Sequence, residues 1–433
     1  MTAMLMLLSV AIYTSAQTTV ESGMQTFKSY LEDDLDVQMT SHNKVKLFFS
    51  GHDKFIDLFE HIAAAKESIH LEYFNFRNDS IAFATFDRLG ERVADGVEVR
   101  AMFDAFGNTS NNQPLKKEHL KAIKAKGIDI VKFDPIRFPW VNHVLTRDHR
   151  KIVVIDGKVG YTGGMNIADY YIKGLEGIGA WHDIHMRIEG PAVKHLQDIF
   201  LKIWNKETHR QVQGSKYYPE LEAFTDGADR YSTMGASTEE RIANIGQQTH
   251  YDVEMGIVDR APGKTSSHMR KAYAAAIDAA TQNIRIVNPY FVPTRRVRKA
   301  LKRALKRGVE VEIMIPSKSD IGFTPETAEL VAHRLMKRGA KIYLFNGGFH
   351  HSKIMMIDNR YCTLGTANLN SRSLRFDYET NAFMFDKGVT DELDAMFTRD
   401  MRSSTVMDKQ YWKDRSAWKK FTGWVGNLLT PFL

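Results

Sequence analysis

The sequence predicts an α/β fold of two tandem domains, each a helix-flanked, largely parallel or mixed sheet, related by internal duplication. Three observations carry this. Strand-like apolar runs alternate with helical patterns of about a dozen residues. The same order of elements occurs twice, and glycines punctuate both copies at a fixed offset.

In the first copy, a helical pattern over 55–66 leads to an apolar strand over 69–74. A helix over 81–94 stops at Gly96 before a strand over 97–103, and a helix over 115–125 stops at Gly127 before a strand over 128–131. The second copy repeats this with a helix over 269–280, a strand over 284–287 and then Pro289-Tyr290-Phe291. A helix over 297–306 stops at Gly308 before a strand over 309–315, and a helix over 326–337 stops at Gly339 before a strand over 341–344. Glycine just past a helix accepts the left-handed conformation that ends it. Gly308 and Gly96 are 212 residues apart, as are Gly339 and Gly127, whereas His351 and His149 are 202 apart. The first copy therefore holds ten extra residues within 134–148, including Phe138 and Trp140. The copies are expected at 45–210 and 253–400, with a polar link over 211–252 that lacks a strong period.

Each copy ends its strand series with His-x-Lys-x4-Asp. The first motif is His149, Lys151 and Asp156 within region 144–171; the second is His351, Lys353 and Asp358 within region 346–373. On an extended chain, residues two apart project to the same side, so each His and Lys pair shares a face. A Gly-rich piece follows in the same register: Gly163-Gly164-Met165-Asn166, then Gly365-Thr366-Ala367-Asn368.

These residue types suit phosphoryl transfer. A neutral imidazole attacks phosphorus and forms a covalent intermediate, and a second imidazole moves the proton. Two lysines offset charge on the non-bridging oxygens, and Asn166, Asn368 and backbone N–H groups at Gly163, Gly164, Gly365 and Thr366 donate to them. No metal or other cofactor is called for, because cationic side chains fill that place. Asp156 and Asp358 are each followed by a turn residue (Gly157, Asn359), so closing a turn and orienting a histidine are both open roles for them.

The paired motifs resemble the HKD motifs of the phospholipase D superfamily. The flanks narrow the resemblance to bacterial cardiolipin synthases of the phospholipase D type. They include Leu71-Glu72-Tyr73-Phe74, Arg137-Phe138-Pro139, Trp181-His182-Asp183, Pro289-Tyr290-Phe291 and Asn370-Ser371-Arg372-Ser373. The resemblance implies transfer of a phosphatidyl group between two phosphatidylglycerol molecules, releasing glycerol. It implies His149 as nucleophile and His351 as general acid/base, or the reverse, with Glu379 orienting a histidine. A hydrolase of the same superfamily, acting on phospholipid or nucleic acid, is the alternative reading. Transfer and hydrolysis differ only in the acceptor.

Composition fits a lipid-facing enzyme. The 433 residues carry a net charge of +7, which suits an anionic membrane surface; nucleic acid is the less expected polyanion, and no obligate protein partner is evident. One cysteine, Cys362, excludes an intrachain disulfide framework. Residues 1–16 read as a cleaved signal or a short membrane anchor, placing the enzyme at the cell membrane with an extracytoplasmic site if the signal is cleaved. Cardiolipin synthases of this type usually begin with two membrane-spanning helices, whereas this start offers one short apolar run. Residues 411–433 interleave Trp412, Trp418, Phe421 and Trp424 with Lys413, Arg415, Lys419 and Lys420, as a membrane-contact segment does. Lys299, Lys302, Arg303, Lys306 and Arg307 form a basic stripe on a predicted helix, whose default reading is a solvated face.

Overall fold

Alternation of apolar strands with amphipathic helices builds one continuous mixed sheet. A computed structural model describes residues 18–135, 145–221, 224, 236–322 and 324–428. The first half contributes β1 (Met39–Phe48), β2 (Ser68–Tyr73), β3 (Glu98–Asp104), β4 (Asp129–Phe133), β5 (Ile152–Ile155), β6 (Val159–Gly163), β7 (Trp181–His182) and β8 (His185–Glu189). The second contributes β9 (Thr249–Arg260), β10 (Asn283–Val287), β11 (Glu310–Pro316), β12 (Lys341–Phe345), β13 (Phe349–His350), β14 (Ile354–Ile357), β15 (Tyr361–Gly365), β16 (Glu379–Met384) and β17 (Ser404–Val406).

Fifteen strands form one sheet in the order β17-β12-β11-β10-β14-β15-β16-β9-β1-β8-β6-β5-β2-β3-β4. Apart from β17, the order mirrors itself about the β9–β1 boundary, so the duplication in sequence becomes a pseudo-two-fold in the sheet. Within this sheet pairing is parallel only among β2, β3 and β4 and among β10, β11 and β12, while β7 and β13 form a separate parallel pair. The remaining strands of this sheet pair antiparallel, with short hairpins joining β5 to β6 and β14 to β15 and longer connections joining the others. Thus the expected parallel sheet is the outer part of each half, and the motif strands lie in antiparallel meanders.

Helices form where the apolar spacing places them: Gly51–Ala64, Ser80–Ala94 and Lys117–Ala125 in the first half, and His268–Ala279, Arg295–Arg307 and Thr324–Met336 in the second. Their boundaries fall within a few residues of the sequence reading. Two features differ from it. The link over 211–252 is not all connection, since its last residues begin β9, which hydrogen-bonds β1 and β16 and joins the halves. Helical residues before β1 send Phe27, Leu31 and Leu35 into the core of the second half, not the first. The expectations for residues 1–16 and for Phe138 and Trp140 lie outside the described residues. Among those described, no helix is long and apolar enough to cross a membrane.

Candidate active site

Each motif enters its strand from an extended segment, so His149 and Lys151 precede β5, and His351 and Lys353 precede β14. The expected shared face holds even though the residues are not in the strands themselves. Lys151 Nζ donates to the His149 carbonyl at 2.6 Å. Lys353 Nζ donates to the His351 carbonyl and lies 2.8 and 3.0 Å from the ring nitrogens of His351. Both lysines are buried behind the histidines.

The halves exchange their orienting acids. His149 Nδ1 meets the Glu379 carboxylate of the second half at 3.1 Å, and His351 Nδ1 meets Asp183 of the first half at 2.6 Å. The backbone makes the same exchange: His149 N–H donates to the Tyr378 carbonyl at 3.0 Å, and His351 N–H donates to the His182 carbonyl at 2.6 Å. Each motif is therefore seated on the chain one residue before the acid that orients its imidazole. Neither half holds a complete histidine–acid pair alone.

Glu379 is legible in the sequence as a candidate, whereas Asp183 stands there only as the last residue of the Trp181-His182-Asp183 flank. The registers explain why. Glu379 and Asp183 are 196 residues apart, whereas the motifs are 202 apart, because the first half carries six extra residues after its Gly-rich piece. The sheet restores the equivalence. Gly163 pairs with His185 and Gly365 with Asn381, each two residues past its acid.

The Gly-rich pieces serve these acids. A Cβ on Gly164 would stand 2.0 Å from Asp183 Oδ1, and one on Gly365 would stand 2.3 Å from the Thr380 carbonyl oxygen. Gly163 has φ +146°, a conformation L side chains rarely adopt, with His185 directly above it. Thr366, the counterpart of Gly164, donates its hydroxyl to Glu379. Asn166 and Asn368 are brought to the same cleft as the histidines. Asn166 Oδ1 accepts from the Asn75 N–H, while the buried Asn368 Oδ1 has no partner among the described residues.

Asp156 and Asp358 are not brought to the histidines. Each sits at the far end of its motif strand in a left-handed turn, at φ +53° and +54°. The Asp156 carboxylate accepts the backbone N–H groups of Lys66, Glu67 and Ser68 at 2.8–2.9 Å. Asp358 accepts those of Thr281, Gln282 and Asn283, plus the Thr281 hydroxyl. Of the two roles the sequence left open, this geometry matches turn closure and the pinning of β2 and β10 at their starts.

The cleft has a volume of about 540 Å³, and His149 and His351 both line it. Its walls include Phe74, Phe106, Tyr170, Trp181 and Tyr290. The Phe74 ring lies 5.1 Å edge-on from His149, and Trp181 and Tyr290 lie 5.3 and 6.1 Å from His351. Burial, then the neighbouring Lys151, holds the His149 imidazole well below its ordinary pKa. Burial and Lys353 lower His351 less, because Asp183 opposes them. Burial pushes Lys151 down to about 7 and Lys353 down to about 8. Burial pushes Glu379 up to about 7 against the pull of Lys151. For Asp183, burial is outweighed by Lys353 and His351, which hold it below the usual carboxylate range. The arrangement is thus two imidazoles, each backed by a carboxylate and a lysine, facing one space walled by aromatic and polar side chains. Among the described residues no group of three or more His, Cys, Asp or Glu side chains is arranged to hold a metal ion.

Known proteins place this geometry in a family. Residues 58–204 and 273–401 match the family model described as cardiolipin synthase, PLD-like domain, and the two segments bracket one motif each. A cardiolipin synthase of Listeria monocytogenes is 33% identical over 398 residues, covering 91% of this chain and 76% of that protein. One from Oceanobacillus iheyensis is 34% identical over 394 residues, with the same coverages. In three dimensions the chain resembles the crystal structure of phosphatidylserine synthase from Haemophilus influenzae Rd KW20, with a TM-score of 0.65 over 94% of this chain and 99% of the other. At 15% identity that likeness is one of fold. With both motif-bearing segments matched and these relatives aligned over most of its length, the chain belongs to the cardiolipin synthase family of phospholipase D-like enzymes.

Proposed function

We propose that the cleft transfers a phosphatidyl group from one phosphatidylglycerol to another, forming cardiolipin and releasing glycerol through a phosphohistidine. His149 is the nucleophile. Its Nδ1 is held by Glu379, which leaves Nε2 to face the cleft. As the His149 Nε2–P bond forms, the P–O bond to the donor's glycerol breaks, and protonated His351 gives that oxygen its proton. His351, now neutral, takes the proton of the acceptor hydroxyl. The acceptor oxygen bonds to phosphorus, the N–P bond breaks and His149 is restored. Lys151, Lys353, Asn166 and Asn368 hold the phosphoryl oxygens throughout. Asp156 and Asp358 belong to the scaffold of this reaction, and Gly163, Gly164, Gly365 and Thr366 to the placing of its acids.

The observation that carries the reading is the reciprocal pairing of each histidine with a buried carboxylate of the opposite half, both imidazoles facing one cleft. Phe74, Phe106, Tyr170, Trp181 and Tyr290 give the cleft an apolar wall against which a lipid acceptor packs, and that packing favours its hydroxyl over water. The substrates place the enzyme at a membrane surface, in keeping with its positive charge.

Purified enzyme with labelled phosphatidylglycerol in mixed micelles is expected to yield cardiolipin and glycerol in equal amounts. Phosphatidic acid without cardiolipin would establish hydrolysis instead. His149→Ala and His351→Ala are each expected to lose about 10³-fold or more of turnover, and substantial activity in either would refute the two-histidine mechanism.

A further inference from the structure

The Ala417–Leu428 helix has two faces of opposite character. One face is packed: Gly423 and Gly426 sit so close to the Thr324–Met336 helix that a Cβ would stand 2.4 Å from the Glu326 carbonyl oxygen and 2.0 Å from Thr327 Oγ1. The preceding turn is fixed as well, by Arg415 on Glu329 at 2.9 Å and Trp412 stacked on His333. The other face is bare. Trp418, Phe421, Trp424 and Leu428 are 70, 52, 50 and 57% exposed, and the three rings form a ladder at 5.9 and 6.2 Å. Val425 of the same helix is exposed as well, and among the described residues the other exposed large apolar side chains are scattered over separate elements, which leaves this helix as the continuous apolar patch.

A basic belt adjoins it. Arg334 donates to Asn427 of the same helix at 3.3 Å. Arg298 and Lys302, on the Arg295–Arg307 helix, feel Arg334, and Lys302 also feels Arg338. Among the described residues none of these four cations forms an ion pair with a carboxylate. By contrast Arg303, in the same stripe, is occupied by Asp278. The helix beneath both patches also bounds the cleft, because Thr324 and Thr327 line it and exposed Ile321 stands at its lip.

We propose that this face, the aromatic ladder of residues 418–428 flanked by the Arg298–Lys302–Arg334–Arg338 belt, docks on an anionic lipid bilayer and sets the cleft against the membrane surface. The aromatic rings enter the interface while the cations meet lipid phosphates. The inference rests on the phosphatidyl-transfer reading, since it names the surface through which the lipid substrates reach the site.

The test uses the full chain. Cys362 is buried, so Trp424→Cys accepts an environment-sensitive fluorophore selectively. Glu220→Cys, near the turn at the far end of β5, is the control. With phosphatidylglycerol-containing vesicles the label at 424 is expected to shift to the blue and the label at 220 to stay unchanged; phosphatidylcholine vesicles are expected to give little shift. Lys302→Glu with Arg338→Glu is expected to weaken vesicle binding roughly tenfold or more. No shift at 424, or an equal shift at 220, overturns the proposal. So does a charge-reversed variant that loses only retention on DNA while its vesicle binding is unchanged. A shift at 424 in an enzyme that makes no cardiolipin overturns the transfer reading and leaves the docking face standing.

Discussion

The two half-sites share a motif and differ in everything that tunes it. Around His149 stands a glutamate whose neighbour at the end of β15 is Thr366; around His351 stands an aspartate whose neighbour at the end of β6 is Gly164. Glu379 reaches further from an equivalent place in the sheet, and the Thr366 hydroxyl takes up one of its oxygens. Asp183 is shorter, approaches its histidine more closely, and needs a position without a Cβ beside it. Their charges differ accordingly, with Glu379 titrating at about 7 and Asp183 held below the usual carboxylate range. A permanently charged partner stabilises an imidazolium, as a general acid requires. A partner that is charged only part of the time leaves its imidazole neutral and nucleophilic. Duplication thus supplied two equal histidines, and the exchanged acids make them unequal.

Neutralising the acids is the strongest way to break that comparison. Asp183→Asn is expected to cost roughly 10³–10⁴-fold in kcat/KM at every pH between 6 and 9, because Asp183 itself is charged throughout that range. Glu379→Gln is expected to cost roughly 10²–10³-fold at pH 8 and less at pH 6, where wild-type Glu379 is itself largely protonated. The wild-type profile is expected to be bell-shaped. Activity falls below about 7 as Glu379 gains a proton, and falls again toward 8 and above as Lys151 and Lys353 lose theirs. Glu379→Gln removes the acid limb and Asp183→Asn keeps it. If the two variants give the same profile, the half-sites are equivalent and the proposed division of roles falls.

Much of this was legible in the residues, and what was hidden was hidden for physical reasons. Period and glycine punctuation located the flanking helices, because an amphipathic stripe and a C-terminal glycine are local properties. Register alone tied His149 to His351. Asp183 was concealed because its offset broke by six residues, and only strand pairing across β6 and β8 restores it. That each acid serves the opposite half is a long-range fact of how β9 and β1 join the sheet, which no local pattern encodes. The left-handed aspartates show the converse. Their place in the motif suggested chemistry, whereas backbone conformation and three or four donors per carboxylate fit a structural lock.

That lock yields the next effect in size. Asp156→Ala and Asp358→Ala are each expected to destabilise the fold by about 2–4 kcal/mol, through lost charge-assisted bonds and an alanine forced to positive φ. Asp358→Ala should be the worse, since it strands the Thr281 hydroxyl as well. Denaturant unfolding reads the loss, while kcat per folded molecule is expected to stay within about twofold. A collapse of kcat at unchanged stability would return these residues to the chemistry.

Smaller effects test the neighbours of the acids. Gly164→Ala places a methyl group where Asp183 Oδ1 now stands, at 2.0 Å. It is expected to reduce kcat by roughly 10- to 100-fold with little loss of melting temperature, because the side chain that must move is the one orienting His351. The equivalent position in the other half already carries a threonine, so size there is tolerated. A Gly164→Ala enzyme of full activity would mean that the placing of Asp183 is not what this glycine protects.

Thr366→Val is the finest of these probes. It keeps the shape beside Glu379 and removes only the donated hydroxyl. That hydrogen bond favours the charged carboxylate, so its loss raises the Glu379 pKa further above the unperturbed value. The acid limb of kcat/KM is then expected to move upward by about half a pH unit. Activity at pH 7 is expected to fall about twofold, and activity at pH 8 to stay nearly constant. A loss of the same size at both pH values would instead indicate that Thr366 acts on the bound phosphate directly, through its own hydroxyl or backbone N–H. The direction of the limb therefore distinguishes a residue that tunes the acid from one that touches the substrate.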